Sequence, residues 1–86
     1  MPLPRGVLSR LRDSRKRLNV LARKVVVTPR LAERLADEAA LLQVDLQWVA
    51  ERASDESQRK SIEAMIEHAK ILERRYTRQI ASDEDS

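Results

Sequence analysis

Residues 29–53, PRLAERLADEAALLQVDLQWVAERA, decide the fold. Leu31, Leu35, Ala39, Leu42, Leu46, Val49 and Ala53 follow one another at steps of three or four. That is heptad-like spacing, the mark of one apolar seam along an α-helix. The pattern passes through Gln43, Val44 and Asp45 with no Gly, Pro or Ser, so the stretch reads as one unbroken helix. Thr28 is a natural N-cap for it, and Pro29 suits the first turn, where its missing N–H costs nothing.

The neighbouring segments take their limits from this one. Upstream, VVVTP (residues 25–29) is a break. Its three valines are stiff, and Pro29 disfavours the α region for Thr28. Before the break, about residues 4–24 show a second helical pattern. Val7, Leu8, Leu11, Leu18, Leu21, Ala22 and Val25 fall on one arc, which only Arg15 interrupts. Arg10, Arg12, Lys16, Arg17, Arg23 and Lys24 fall on the other arc, which only Val20 interrupts. Downstream, SDESQRKS (residues 54–61) has no apolar residue, and Ser54 or Ser57 can cap a further helix. This third helix is expected over about residues 58–81, with Ile62, Met65, Ile66, Ala69, Leu72, Tyr76 and Ile80 as its stripe.

The expected fold class is therefore all-α. Helices 29–53 and 58–81 form an antiparallel hairpin, because the turn between them is short. Its seam is Leu31, Leu35, Leu42, Leu46 and Val49 against Ile62, Met65, Ala69, Leu72 and Tyr76. The basic amphipathic helix 4–24 packs on the hairpin to give a three-helix bundle, or the hairpin dimerises. Residues 1–81 make one domain, and residues 82–86 (SDEDS) read as an acidic disordered tail. A chain of 86 residues buries only roughly 60% of its unfolded surface, so association is a common remedy. Leu41, Val44 and Trp48 lie off the seam of the second helix. Either the first helix covers them, or they contact a second copy or another protein, with Trp48 as the anchor.

The net charge of +3 conceals an uneven layout. Residues 1–24 hold eight Lys or Arg and only Asp13 as an acid, whereas SDEDS at the other end is acidic. Within residues 10–24 lie seven cations. Such an arc can run along phosphates and release their counterions. It can equally meet an acidic protein surface. It holds no aromatic side chain, so base stacking on single strands is not expected. An Arg-rich, amphipathic N-terminal segment also resembles a mitochondrial presequence, which sets a targeting role beside the cytoplasmic location otherwise expected. No apolar run reaches the ~20 residues of a membrane span.

Catalytic and metal chemistry find little support. There is no Cys, one Gly and one His, His68. A lone His without Cys cannot build the usual zinc site, and a Glu-x-x-His pair would need Glu where Met65 stands. The acid pairs Glu33/Asp37 and Glu63/Glu67 have basic neighbours and read as solvated helix faces. No cofactor is expected, and a small helical enzyme is the remotest alternative.

Residues 23–53 also resemble, in part, the ribbon-helix-helix DNA-binding proteins. Pro29, Leu31, Leu35 and Ala39 match that pattern in register, with Val25 and Val27 as the strand and Asp45 in place of the capping Ser. The resemblance implies an intertwined dimer, a repressor or antitoxin, reading the major groove through Lys24, Val26 and Thr28. Gln43 stands where that family has its turn Gly. The principal reading is a small non-enzymatic interaction module, regulatory or assembly-related. It meets proteins through an apolar helix face, and nucleic acid or an acidic partner through its basic helix.

Overall fold

The computed structural model describes residues 3–25 and 28–84. Three helices come in order: α1 (Arg5–Ala22), α2 (Pro29–Arg52) and α3 (Glu56–Glu84). They pack side by side into a rod of 52 × 18 × 16 Å. The described residues contain no strand, and none of their helices is long and apolar enough to cross a membrane.

α2 starts where the sequence directs it to. Thr28 is extended, its Oγ1 accepts the Leu31 N–H at 3.1 Å, and Pro29 occupies the first turn. A Thr28→Ala variant loses that acceptor. It is expected to be less stable by about 1 kcal/mol, within the ~0.5–2 kcal/mol range of lost caps, as a lower thermal midpoint would show. α2 then runs without a break through Gln43, Val44 and Asp45. A ribbon-helix-helix chain needs its turn there, so the helix pair of that family is not formed. Of the residues assigned to its strand and reading face, Lys24, Val25 and Thr28 are in no strand, and Val26 and Val27 lie outside the described residues.

The turn after α2 is shorter than expected. Ala53 leaves the helical region, and Arg59 donates from its guanidinium to the Ala53 carbonyl at 2.8 Å. Asp55, not Ser54 or Ser57, takes up the first free N–H of α3: its Oδ1 accepts from Ser57 at 3.0 Å. α3 therefore begins at Glu56, two residues before the expected start. It also continues to Glu84, three residues into the stretch expected to be a disordered tail. No Gly or Pro occurs after Pro29, so nothing in the sequence stops α3.

Two core clusters sit along the rod. One joins Val7 and Leu11 of α1 to Leu46, Val49 and Ala50 of α2 and to Ile62 and Ile66 of α3. The other joins Leu18 and Leu21 to Leu35, Ala39 and Leu42 and to Ala69, Leu72 and Tyr76. Met65 packs against both. Each seam residue expected for the hairpin is buried or half-buried here. Ala32, Ala39 and Ala69 are fully buried, and such small side chains let helix backbones approach closely.

α1 shows two departures from its expected face. Its buried positions are Val7, Leu11, Ser14, Leu18 and Leu21, at steps of four, three, four and three. Ser14 thus holds the inward position, and Arg15 is exposed rather than interrupting the apolar arc. Val25, counted on that arc, lies beyond the helix end and is 77% exposed. The far end of α1 is tied to α3 by the Tyr76 hydroxyl, which donates to the Leu21 carbonyl at 2.7 Å.

Candidate nucleic-acid interface

The six cations expected to form one basic face of α1 are all exposed, but they are turned to different neighbours. Arg10 lies over the Trp48 ring at 4.4 Å, and Arg52 lies over the same ring at 3.8 Å. Arg52 also donates to the Trp48 carbonyl at 2.9 Å. Arg17 reaches Asp45 at 4.0 Å. At 71% exposure the Arg17 side chain gains little from this pair. Arg10 and Arg17 therefore mark the flank of α1 that faces α2. Asp13 lines the same recess as Arg10, Arg17 and Asp45, so the one acid of α1 is on that flank too.

The remaining cations point elsewhere. At about 100° per residue, Arg5, Arg12, Lys16 and Arg23 stack into one file along the outside of α1. Arg15 occupies the opposite flank from Arg10 and Arg17, towards α3. Lys16 stands at the edge of a groove between α1 and α2, with Glu38 on the other side. Lys24 is exposed just past the helix end.

α3 answers this arrangement. Its acids are on the side of α2 or further out. Gln43 of α2 donates to Glu73 at 3.2 Å, which fixes the α2-facing flank. Glu63 and Glu67 lie round from Glu73 towards the outer surface. The opposite flank, next to α1, carries His68, Arg75 and, at its outer edge, Arg78, all exposed. Burial is the largest influence on the Tyr76 phenol and pushes its pKa above the usual 10.0. Arg75 is close enough to oppose that rise electrostatically, while Glu38 adds to it. Since Tyr76 bonds the end of α1, Arg75 sits beside that end.

The seam between α1 and α3 is thus flanked by Arg15 on one helix and by His68 and Arg75 on the other, with Arg12, Arg23 and Arg78 further out on the same side. Rotation places no carboxylate of residues 5–80 between the two rows. The ion pairs among the described residues, Arg17–Asp45, Arg52–Glu51 and Lys60–Glu56, leave all six of these residues out. Arg75, Arg78 and His68 were not expected at a basic face. In the linear order they sit near Glu73 and Glu67, and only the rotation of α3 against α1 separates the signs.

The off-seam face of α2 is open in part. Leu41 and Val44 are 65% and 66% exposed, so α1 does not cover them. Trp48 is half-buried against the first core cluster, beneath the two guanidiniums. Glu33/Asp37 and Glu63/Glu67 are exposed on helix surfaces.

No family model matches this chain, and neither a curated protein nor a solved structure gives a significant match. Its function must be argued from the site itself.

Proposed function

We propose that the chain is a helical module that grips duplex nucleic acid through its phosphates, using the seam between α1 and α3. The observation that carries this reading is the segregation of charge. Exposed cations of α1 and α3 face out along one side of the rod, with Asp13 and Glu73 on the flanks towards α2 and Glu67 on the outer file of α3 that Arg78 ends. Phosphates are an extended row of negative charge, and binding gains entropy from each counterion that a cation releases. A helix seam with Arg on both sides presents several such cations at once. No aromatic side chain stands on this face to stack a base, so contact with the backbone of a duplex suits it better than capture of single strands. Phosphate contacts position a protein without specifying sequence, and little sequence preference is expected.

The test is a salt titration. The affinity of the full chain for a labelled generic duplex is measured between about 50 and 200 mM salt. Five contacts, from Arg12, Arg15, Arg23, Arg75 and Arg78, give a slope of roughly −4.5 in log K against log salt. The affinity should then fall roughly 500-fold across that range. A flat dependence, or no binding at low salt, would remove the proposal.

A further inference from the structure

His68 is the only histidine of the chain, and it stands on the α1-facing flank of α3 in file with Arg75. Its level along the rod follows from the core. Leu11 packs in one cluster with Ile62 and Ile66, and Leu18 packs in the other with Ala69 and Leu72. Arg15, midway between those leucines, therefore comes level with residues 66–69 and stands across the seam from His68. Both residues are exposed. We infer that His68 is a proton-gated phosphate contact, which joins the arginines of the seam only when its imidazole is charged. The inference rests on the proposed duplex reading and adds to it a dependence on pH.

Residues 5–80 offer His68 no counter-charge at close range. Across the seam stand Arg15 and, further out, Arg12. Asp13, the one acid of α1, lies on the flank towards α2. On α3 itself the positions one turn away are Ala64, Met65, Ile71 and Leu72, so no carboxylate has the i,i+3 or i,i+4 spacing of a helical ion pair. Glu67 precedes His68 but lies about 100° round the helix from it. α2 packs on the other flank of α3, where Gln43 meets Glu73. A charged imidazole here gains no partner from the protein and stands beside the Arg15 guanidinium. A phosphate supplies the missing counter-charge. Histidine changes charge between pH 5 and 8, so the contact is gained within that range.

The contact is additional to those of the arginines. His68 and Arg75 are two helical turns apart, about 10.5 Å along α3. Phosphates of one strand recur every ~3.4 Å along a duplex, so each of the two side chains can take its own phosphate. One more phosphate contact steepens the salt slope by about 0.9, and at about 0.1 M salt it tightens binding about eightfold. Linkage makes the effect reciprocal, so a bound duplex holds the imidazole proton more tightly by the same factor.

Duplex titrations of the full chain over the same salt range, at about pH 5.5 and about pH 7.5, test this. At the lower pH the slope should be steeper by about 0.9, and the affinity at about 0.1 M salt about eightfold higher. His68→Gln should remove both differences. A His68→Gln/Gln47→His chain keeps the composition but moves the imidazole to the recess between α2 and α3, away from the seam, and should also lack them. Since the chain has one histidine, its imidazole resonance is unambiguous by NMR, and the titration midpoint should rise by about 0.9 pH when duplex is bound. Binding with the roughly −4.5 slope of the five arginines and equal affinity at both pH values would overturn the inference and leave the proposed function standing. A pH response that survives in His68→Gln or in the transplanted chain would overturn it too, since net charge alone would then suffice. No binding at either pH would remove both the inference and the function it rests on.

Discussion

A Tyr76→Ala variant is expected to lie near or past the edge of folding, losing about 3–5 kcal/mol. Tyr76 is 2% exposed and packs in the cluster with Leu18, Leu21, Leu35 and Leu72. Removing its ring opens a cavity where all three helices meet. It also removes the hydroxyl that bonds the Leu21 carbonyl. A domain of 86 residues has a total stability of only roughly 4–13 kcal/mol. Urea denaturation would show the loss as a lower midpoint. Tyr76→Phe keeps the ring and removes only the hydroxyl. Leu21 then keeps one partner, the Lys24 N–H at 3.2 Å, so this variant should lose only about 1 kcal/mol.

The same side chain gives the fold an alkaline limit. Burial raises the Tyr76 pKa above its usual 10.0, with Arg75 opposing and Glu38 reinforcing the shift. Its contribution to stability is therefore complete below pH 10 and is lost as pH rises through the higher folded value. Ionisation also removes the proton donated to Leu21. Wild type should unfold more readily above pH 10, whereas Tyr76→Phe should show less of that dependence.

Combined replacement of Arg12, Arg15, Arg75 and Arg78 by alanine is the second large effect expected. Each phosphate contact contributes about 0.9 to the salt slope, so the slope should flatten by about 3.6. At about 0.1 M salt the loss of affinity should be of order 10³-fold. A matched variant carries Arg17→Ala, Arg30→Ala, Arg34→Ala and Lys70→Ala, which remove the same charge from the other sides of the three helices. That variant should keep most of the slope. Equal losses in both would mean that duplexes respond to net charge alone, and the assignment of the α1/α3 seam would fail. All eight residues are exposed, so folding should survive in either variant.

The helices were legible in the sequence because their cause is local. The 3–4 spacing of leucines and the Thr28-Pro29 start sufficed for α2. The ends of α3 were harder, since the apolar stripe marks only the packed part of a helix. Its first and last turns are polar, and a carboxylate at Asp55 capped it earlier than the serines would have. At Ser14 and Arg15 the error was one of phase. A heptad repeat puts Ser14 inward, and a short polar side chain gave no sign of it. The basic content of α1 was also legible, but its division was not. Whether an arginine faces water or α2 depends on how α1 is rotated, and Arg10 was drawn to Trp48, 38 residues away in the chain. The second basic row is a product of topology alone. Nothing near Arg75 in sequence says that it will stand beside Leu21.

The separation of signs across the rod has a kinetic consequence. A molecule with cations along α1 and acids gathered on α2 has an electric moment across its long axis. In the field of a polyanion it feels a torque before it touches, and it turns α2 away during approach. Collisions would then be oriented rather than random, which raises the association rate without strengthening any contact once made. Adding salt should therefore slow arrival, over and above its effect on release. Reversing acids on α2, far from the seam, raises the net positive charge and should speed arrival at low salt while leaving the lifetime of the complex almost unchanged.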